Sequence, residues 1–66
     1  MSARDKLAAL GYGTEARELE RFQRDYNRLP PAKLLPLTGR FDEATARAIE
    51  QVYEAREMFL LMRDGE

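Results

Sequence analysis

The chain has no cysteine and no histidine. Without cysteine there is no disulfide framework, and the redox compartment stays open. Without imidazole or thiolate a zinc site is excluded, and only carboxylates are left to hold a hard cation. Nucleophilic catalysis by a Ser/His/Asp or Cys/His set is excluded for the same reason. No stretch approaches the ~20 apolar residues of a membrane span. An excess of one charge is also missing: 11 basic and 12 acidic residues leave a formal net charge of −1. That balance argues against a generic nucleic-acid binder, which is usually basic overall. Gly11-Tyr12-Gly13 lacks the preceding strand and the lysine of a phosphate loop.

The acidic residues do not supply the missing chemistry. Paired carboxylates can cleave a glycoside, but Glu18, Glu20, Asp25, Glu43, Glu50, Glu54 and Glu57 fall on expected solvent faces, with no cleft to raise a pKa. The constellation an active site requires is absent, so the sequence points to a binding protein without cofactor or metal rather than to an enzyme.

What is present is helical. Of 66 residues, 44% are hydrophobic and 35% charged, which suits one folded, helix-rich domain. A domain of this size buries only about 60% of its unfolded surface, so its core is small. Ser2 is a candidate N-cap with Asp5 as capping-box partner. Leu7, Ala8 and Leu10 give the first helix its apolar positions, and Gly11 stops it. Thr14 reads as the next N-cap, opening a helix from about Glu15 to Asn27. Leu19, Phe22 and Tyr26 form its buried stripe. On the opposite face Arg17, Arg21, Arg24 and Arg28 fall within roughly 60° of one another. Expected pairs Glu18–Arg21, Glu20–Arg24 and Arg21–Asp25 make that face a solvated, salt-bridged one before they make it a site for an anionic polymer.

Three prolines between Leu29 and Leu37 rule out a regular helix there. The stretch reads as a stiff strap with Leu34, Leu35 and Leu37 tucked inward, or as a short edge strand. Gly39 suits a bend. Asp42 then caps a third helix, with Phe41 poised to staple onto Ala46. Its apolar arc holds Thr45, Ala48, Ile49, Val52 and Tyr53 and continues through Phe59 and Leu60. From 56 to 63 the helix turns apolar nearly all round, as Met58, Leu61 and Met62 point to other sides. Such a surface packs back, frays, or docks on a protein partner or a second copy. The docking candidates are Met58, Phe59, Leu60 and Met62.

The expected fold is therefore all-α: a compact three-helix domain over residues 1–66, with a Pro-rich connector between helices 2 and 3. An ordered set of residues gives this expectation a family likeness. Leu10-Gly11-Tyr12, Phe22-Gln23, Leu37-Thr38-Gly39, Phe41-Asp42, Thr45 and Ala48-Ile49 resemble the pattern of the peptidoglycan-binding domain family, over about Leu7 to Val52. The family's Gly-rich loop ahead of its "FQ" helix is replaced by Gly11-Tyr12-Gly13-Thr14, and the strap is longer than the usual link.

The resemblance implies a non-catalytic module that binds peptidoglycan or another cell-wall polymer. Phe22, Leu37, Ile49 and Val52 would be core. Gln23, Tyr26, Thr38, Gly39 and Arg40 would edge a shallow groove at the turn, although packing and local turn bonding compete for Tyr26 and Thr38. The alternative is an intracellular or phage-encoded interaction domain that reuses the fold and docks through its apolar C-terminal end. The polar N-terminus shows no signal-type apolar region. The expected location is thus cytoplasmic as encoded, or the cell wall for a piece of a larger exported protein or assembly.

Overall fold

Leu7, Leu10, Tyr12, Leu19, Phe22, Ala48, Ile49, Val52 and Phe59 form one buried cluster drawn from every part of the chain. The computed structural model describes residues 2–28 and 34–64. Among them it contains four helices and no strand: α1 (Ala3–Ala9), α2 (Ala16–Asn27), α3 (Glu43–Glu54) and α4 (Arg56–Asp64). The all-α expectation holds, with four helices in place of three. Among the described residues no helix is long and apolar enough to cross a membrane.

Local signals decide most helix ends. Ser2 and Asp5 form a reciprocal capping box at α1. Leu10 is the C-cap and Gly11 follows at φ 93°, a left-handed stop that glycine adopts without strain. Leu7 and Leu10 are buried, whereas Ala8 lies on the exposed side. The cap of α2 is Glu15, not Thr14, and it makes no side-chain capping bond. Glu18 instead reaches back to accept from the Gly13 N–H at 3.2 Å. At α3 the Asp42 carboxylate accepts from the Thr45 N–H at 2.8 Å, as an N-cap should.

The expected long third helix breaks at Ala55, whose backbone leaves the helical region at φ −114°, ψ 36°. A straight helix from 43 to 64 would be about 33 Å long, yet the longest extent of the whole domain is 26 Å. Breaking at Ala55 folds the end back onto the core. Phe59 then reaches Phe22, with ring centroids 6.1 Å apart. Arg56, which would interrupt the apolar arc of a continuous helix, moves to the surface and stacks on Tyr53 at 4.4 Å.

Of the strap, residues 29–33 lie outside the described set. Its second half is pinned by one side chain: Asn27 accepts from the Leu35 N–H at 2.6 Å and donates to the Leu35 carbonyl at 2.9 Å. Leu35 packs against the core. Leu34 and Leu37 do not tuck inward; they are 76% and 48% exposed. Extended backbone held at Leu35 turns the adjacent Leu34 outward, and the Thr38 N–H bond to the Pro36 carbonyl bends the chain at Leu37, which breaks the alternation.

Gly39 is the backbone position with least freedom to change. Its φ is +66°, and a Cβ there would stand 2.8 Å from the Ala16 carbonyl oxygen. Gly39→Ala is expected to cost about 2 kcal/mol or more, from left-handed strain plus a backbone clash. The check is urea denaturation, where the midpoint should fall with an unchanged slope.

Candidate functional site

Gln23 is completely buried on α2, and every polar atom of its amide is used. Its Nε2 donates to Thr38 Oγ1 at 3.2 Å and to Thr45 Oγ1 at 2.9 Å. Its Oε1 accepts from the Gly39 N–H at 3.0 Å. Because a backbone N–H can only donate, that last bond settles which end of the amide is oxygen. Thr38 Oγ1 also accepts from the Arg40 N–H at 3.1 Å and faces Asp42 Oδ2 at 3.5 Å. The Thr45 N–H, helped by the Thr45 hydroxyl, holds the Asp42 carboxyl below its ordinary pKa. One amide therefore joins α2, the 38–40 turn and the first turn of α3. No buried side-chain polar atom among the described residues lacks a partner.

This geometry sorts the residues expected to edge a groove. Gln23 is buried with its amide saturated, and Gly39 is buried with its N–H held by Gln23, so neither presents a side chain to a polymer. They position the turn instead. Thr38 and Arg40 are exposed. The Arg40 guanidinium has no ion pair or hydrogen bond among the described residues. Tyr26 is half-buried against Phe22, and its hydroxyl donates to Gln51 Oε1 at 3.3 Å. The Thr38 hydroxyl is itself filled by Gln23, the Arg40 N–H and Asp42, so the Arg40 guanidinium, the exposed Tyr26 edge and the Thr38 methyl are what remains available to a ligand.

The docking candidates separate as well. Phe59 is 3% exposed and belongs to the core, so it is not a contact for a partner. Leu60 is half-buried against the core cluster. Met58 and Met62 face outward, joined by Leu61, which is the most exposed residue of the patch at 71%. The break at Ala55 produces this division by rotating Phe59 inward.

The arginine face is largely spoken for. Arg21 pairs with Glu18 at 3.4 Å and Arg24 with Glu20 at 2.6 Å, as the spacing predicts. Asp25 is not paired with Arg21; it accepts from the Tyr12 hydroxyl. Arg17 lies 3.4 Å from Glu15, and Arg28 is engaged too. Tyr12 forms a second knot, a role that Leu10-Gly11-Tyr12 as a motif does not reveal. Its ring meets Phe22 edge-on at 5.5 Å and lies under two guanidinium groups, Arg21 at 4.8 Å and Arg63 at 5.4 Å. Arg63 also donates to the Leu10 carbonyl at 2.8 Å, tying the end of α4 to the end of α1. Partners 53 residues apart leave no local signature. The cleft beside this knot, lined by Asp25, Arg28, Phe59, Met62 and Arg63, holds about 70 Å³, room for a water or two.

Fold and site together define a small all-α domain with a saturated polar knot and two separate exposed surfaces, one at the turn and one on α4. Compared with known proteins, the chain matches no family model, no curated protein and no solved structure.

Two consequences of the knots are measurable. Gln23→Leu keeps the volume but orphans the buried Gly39 N–H and strips one bond each from the Thr38 and Thr45 hydroxyls, and should cost about 3 kcal/mol in urea unfolding. For Tyr12, burial pushes the hydroxyl up to about 12; Arg63 opposes the shift and Asp25 adds to it. The folded state thus favours the protonated phenol. That contribution is whole below the ordinary value of 10.0 and is lost as pH climbs towards about 12. Tyrosinate absorbance should show a late ionisation step that vanishes in Tyr12→Phe.

Proposed function

We propose that this chain is a non-catalytic binding module for bacterial cell-wall peptidoglycan, with Thr38, Arg40 and Tyr26 on its contact edge. The observation that carries the reading is the convergence of the resemblance-bearing residues. Phe22-Gln23, Thr38-Gly39, Asp42 and Thr45 are spread over 24 positions, yet Gln23 bonds Thr38, Gly39 and Thr45, and Asp42 bonds Thr45. The motif acts as one device: it seats the turn rigidly on α2 and presents the side chains of Thr38 and Arg40 to solvent. A held turn loses little further entropy on binding. The Arg40 guanidinium suits a polymer of sugars and short peptides, whose hydroxyls, amides and carboxylates need polar partners, while the Thr38 hydroxyl is spent holding the turn and offers its exposed methyl edge. Arg40 in particular can take a peptide-stem carboxylate in bidentate fashion.

The test is co-sedimentation with purified sacculi at low and high salt. Depletion of the protein from solution at both is expected. Arg40→Ala should weaken it about tenfold, the loss of one charge-assisted contact, with helical circular dichroism unchanged. Staying in solution at both salts would overturn the reading. So would pelleting at low salt alone, which would assign the binding to general charge attraction.

A further inference from the structure

The outer face of α4 carries Met58, Leu61 and Met62, exposed by 63%, 71% and 45%. These side chains stand on adjacent turns and make one apolar strip. At the break before α4, Glu54, Ala55, Arg56, Glu57, Met58 and Leu61 line an open groove of about 480 Å³, room for side chains rather than for an ion. A small domain with little core to spare keeps three large apolar side chains in water here, and contiguous surface of that kind marks a contact.

The rim of the strip decides what fits it. Glu57 and Asp64 border it beside Leu60 and Leu61, and Glu54 stands at the groove's far end. Glu54 and Glu57 have no ion pair or hydrogen bond among the described residues. Arg56 also lines the groove but is engaged with Tyr53 rather than with either carboxylate: its Nη1 donates to the Tyr53 carbonyl at 3.0 Å and its guanidinium lies on the Tyr53 ring. Asp64 is held by Arg63 at 3.0 Å. What the strip offers is an apolar centre with two carboxylates, Glu54 and Glu57, along one edge that no cation among the described residues pairs directly.

We infer that this face docks a short basic amphipathic segment of another protein, laid as a helix along the groove with Lys or Arg over Glu54 and Glu57. A second copy of the chain fits less well. An antiparallel pairing of two α4 helices about a two-fold axis sets the Glu57 edge of one against the Glu57 edge of the other. A standard interface also needs about 800 Å² per partner, more than three side chains on a nine-residue helix supply. The inference stands apart from the wall-binding reading, since α4 contributes nothing to the turn at Thr38 and Arg40.

The probe is a pair of labelled model helices of about four turns, identical in their leucine positions, one flanked by lysine and the other by glutamate, titrated by fluorescence anisotropy. The lysine peptide should bind at least tenfold more tightly than the glutamate peptide. Met58→Asp with Leu61→Asp should abolish binding while circular dichroism stays unchanged, because both residues are exposed. Glu54→Lys with Glu57→Lys should reverse the preference. Equal affinities, no binding of either peptide, or binding that survives the double aspartate variant would overturn the inference. So would a dimer in sedimentation equilibrium that the aspartate variant dissolves, which would give the face to a second copy. Neither variant should alter sacculus co-sedimentation, so the two readings fail separately.

Discussion

The fold depends on one buried amide. Gln23 sits in a region where an unpaired polar group costs about 1–3 kcal/mol, and it escapes that cost only when the 38–40 turn and the start of α3 are both in place. Its three hydrogen bonds go to groups 15, 16 and 22 residues downstream. A leucine at this position would tolerate many relative placements of α2 and α3. An amide tolerates the one that satisfies it, so the knot contributes uniqueness more than raw stability. Gly39 completes the constraint, because its backbone approaches Ala16 more closely than any side chain allows.

Around that polar knot the apolar core is short of material. Phe22 holds its centre, touching Tyr12, Tyr26 and Phe59. Supplying Phe59 requires the chain to break helical geometry at Ala55, since a continuous helix would carry the aromatic past the end of the domain. The break is in turn held by Arg63, which grips the Leu10 carbonyl and covers the Tyr12 ring. α4 is thus a closing element, apolar inside for the core and apolar outside for reasons the core does not explain.

These two constraints separate two surfaces. At the turn, Gln23, Thr38 and Asp42 fix the backbone, and the Arg40 guanidinium is the polar group left to act. On α4, the same rotation that buries Phe59 turns Met58, Leu61 and Met62 into water beside Glu54 and Glu57. One surface is polar and rigidly held, the other apolar with an acidic edge. They call for ligands of different chemistry, and each can be altered without touching the core.

Local chemistry made much of this readable in the chain. Ser2 with Asp5, Gly11, and Asp42 with Thr45 mark helix ends because their bonds close within a few residues. Apolar spacing marks Leu19, Phe22, Ala48, Ile49 and Val52 as core. The balance of charge and the absence of cysteine and histidine bound the chemistry before any fold is known. Other expectations the tertiary structure overruled. It buried Gln23, turned Leu34 and Leu37 outward, moved Asp25 from Arg21 to Tyr12, and split the last helix at Ala55, keeping Phe59 on the buried side where spacing puts it but removing it from the docking surface. Each of those outcomes depends on which distant group needed a partner or which space remained to be filled. A sequence determines what each residue is able to do within a turn or two of itself; only the assembled core decides which of those abilities is used inside the fold and which is left facing a partner.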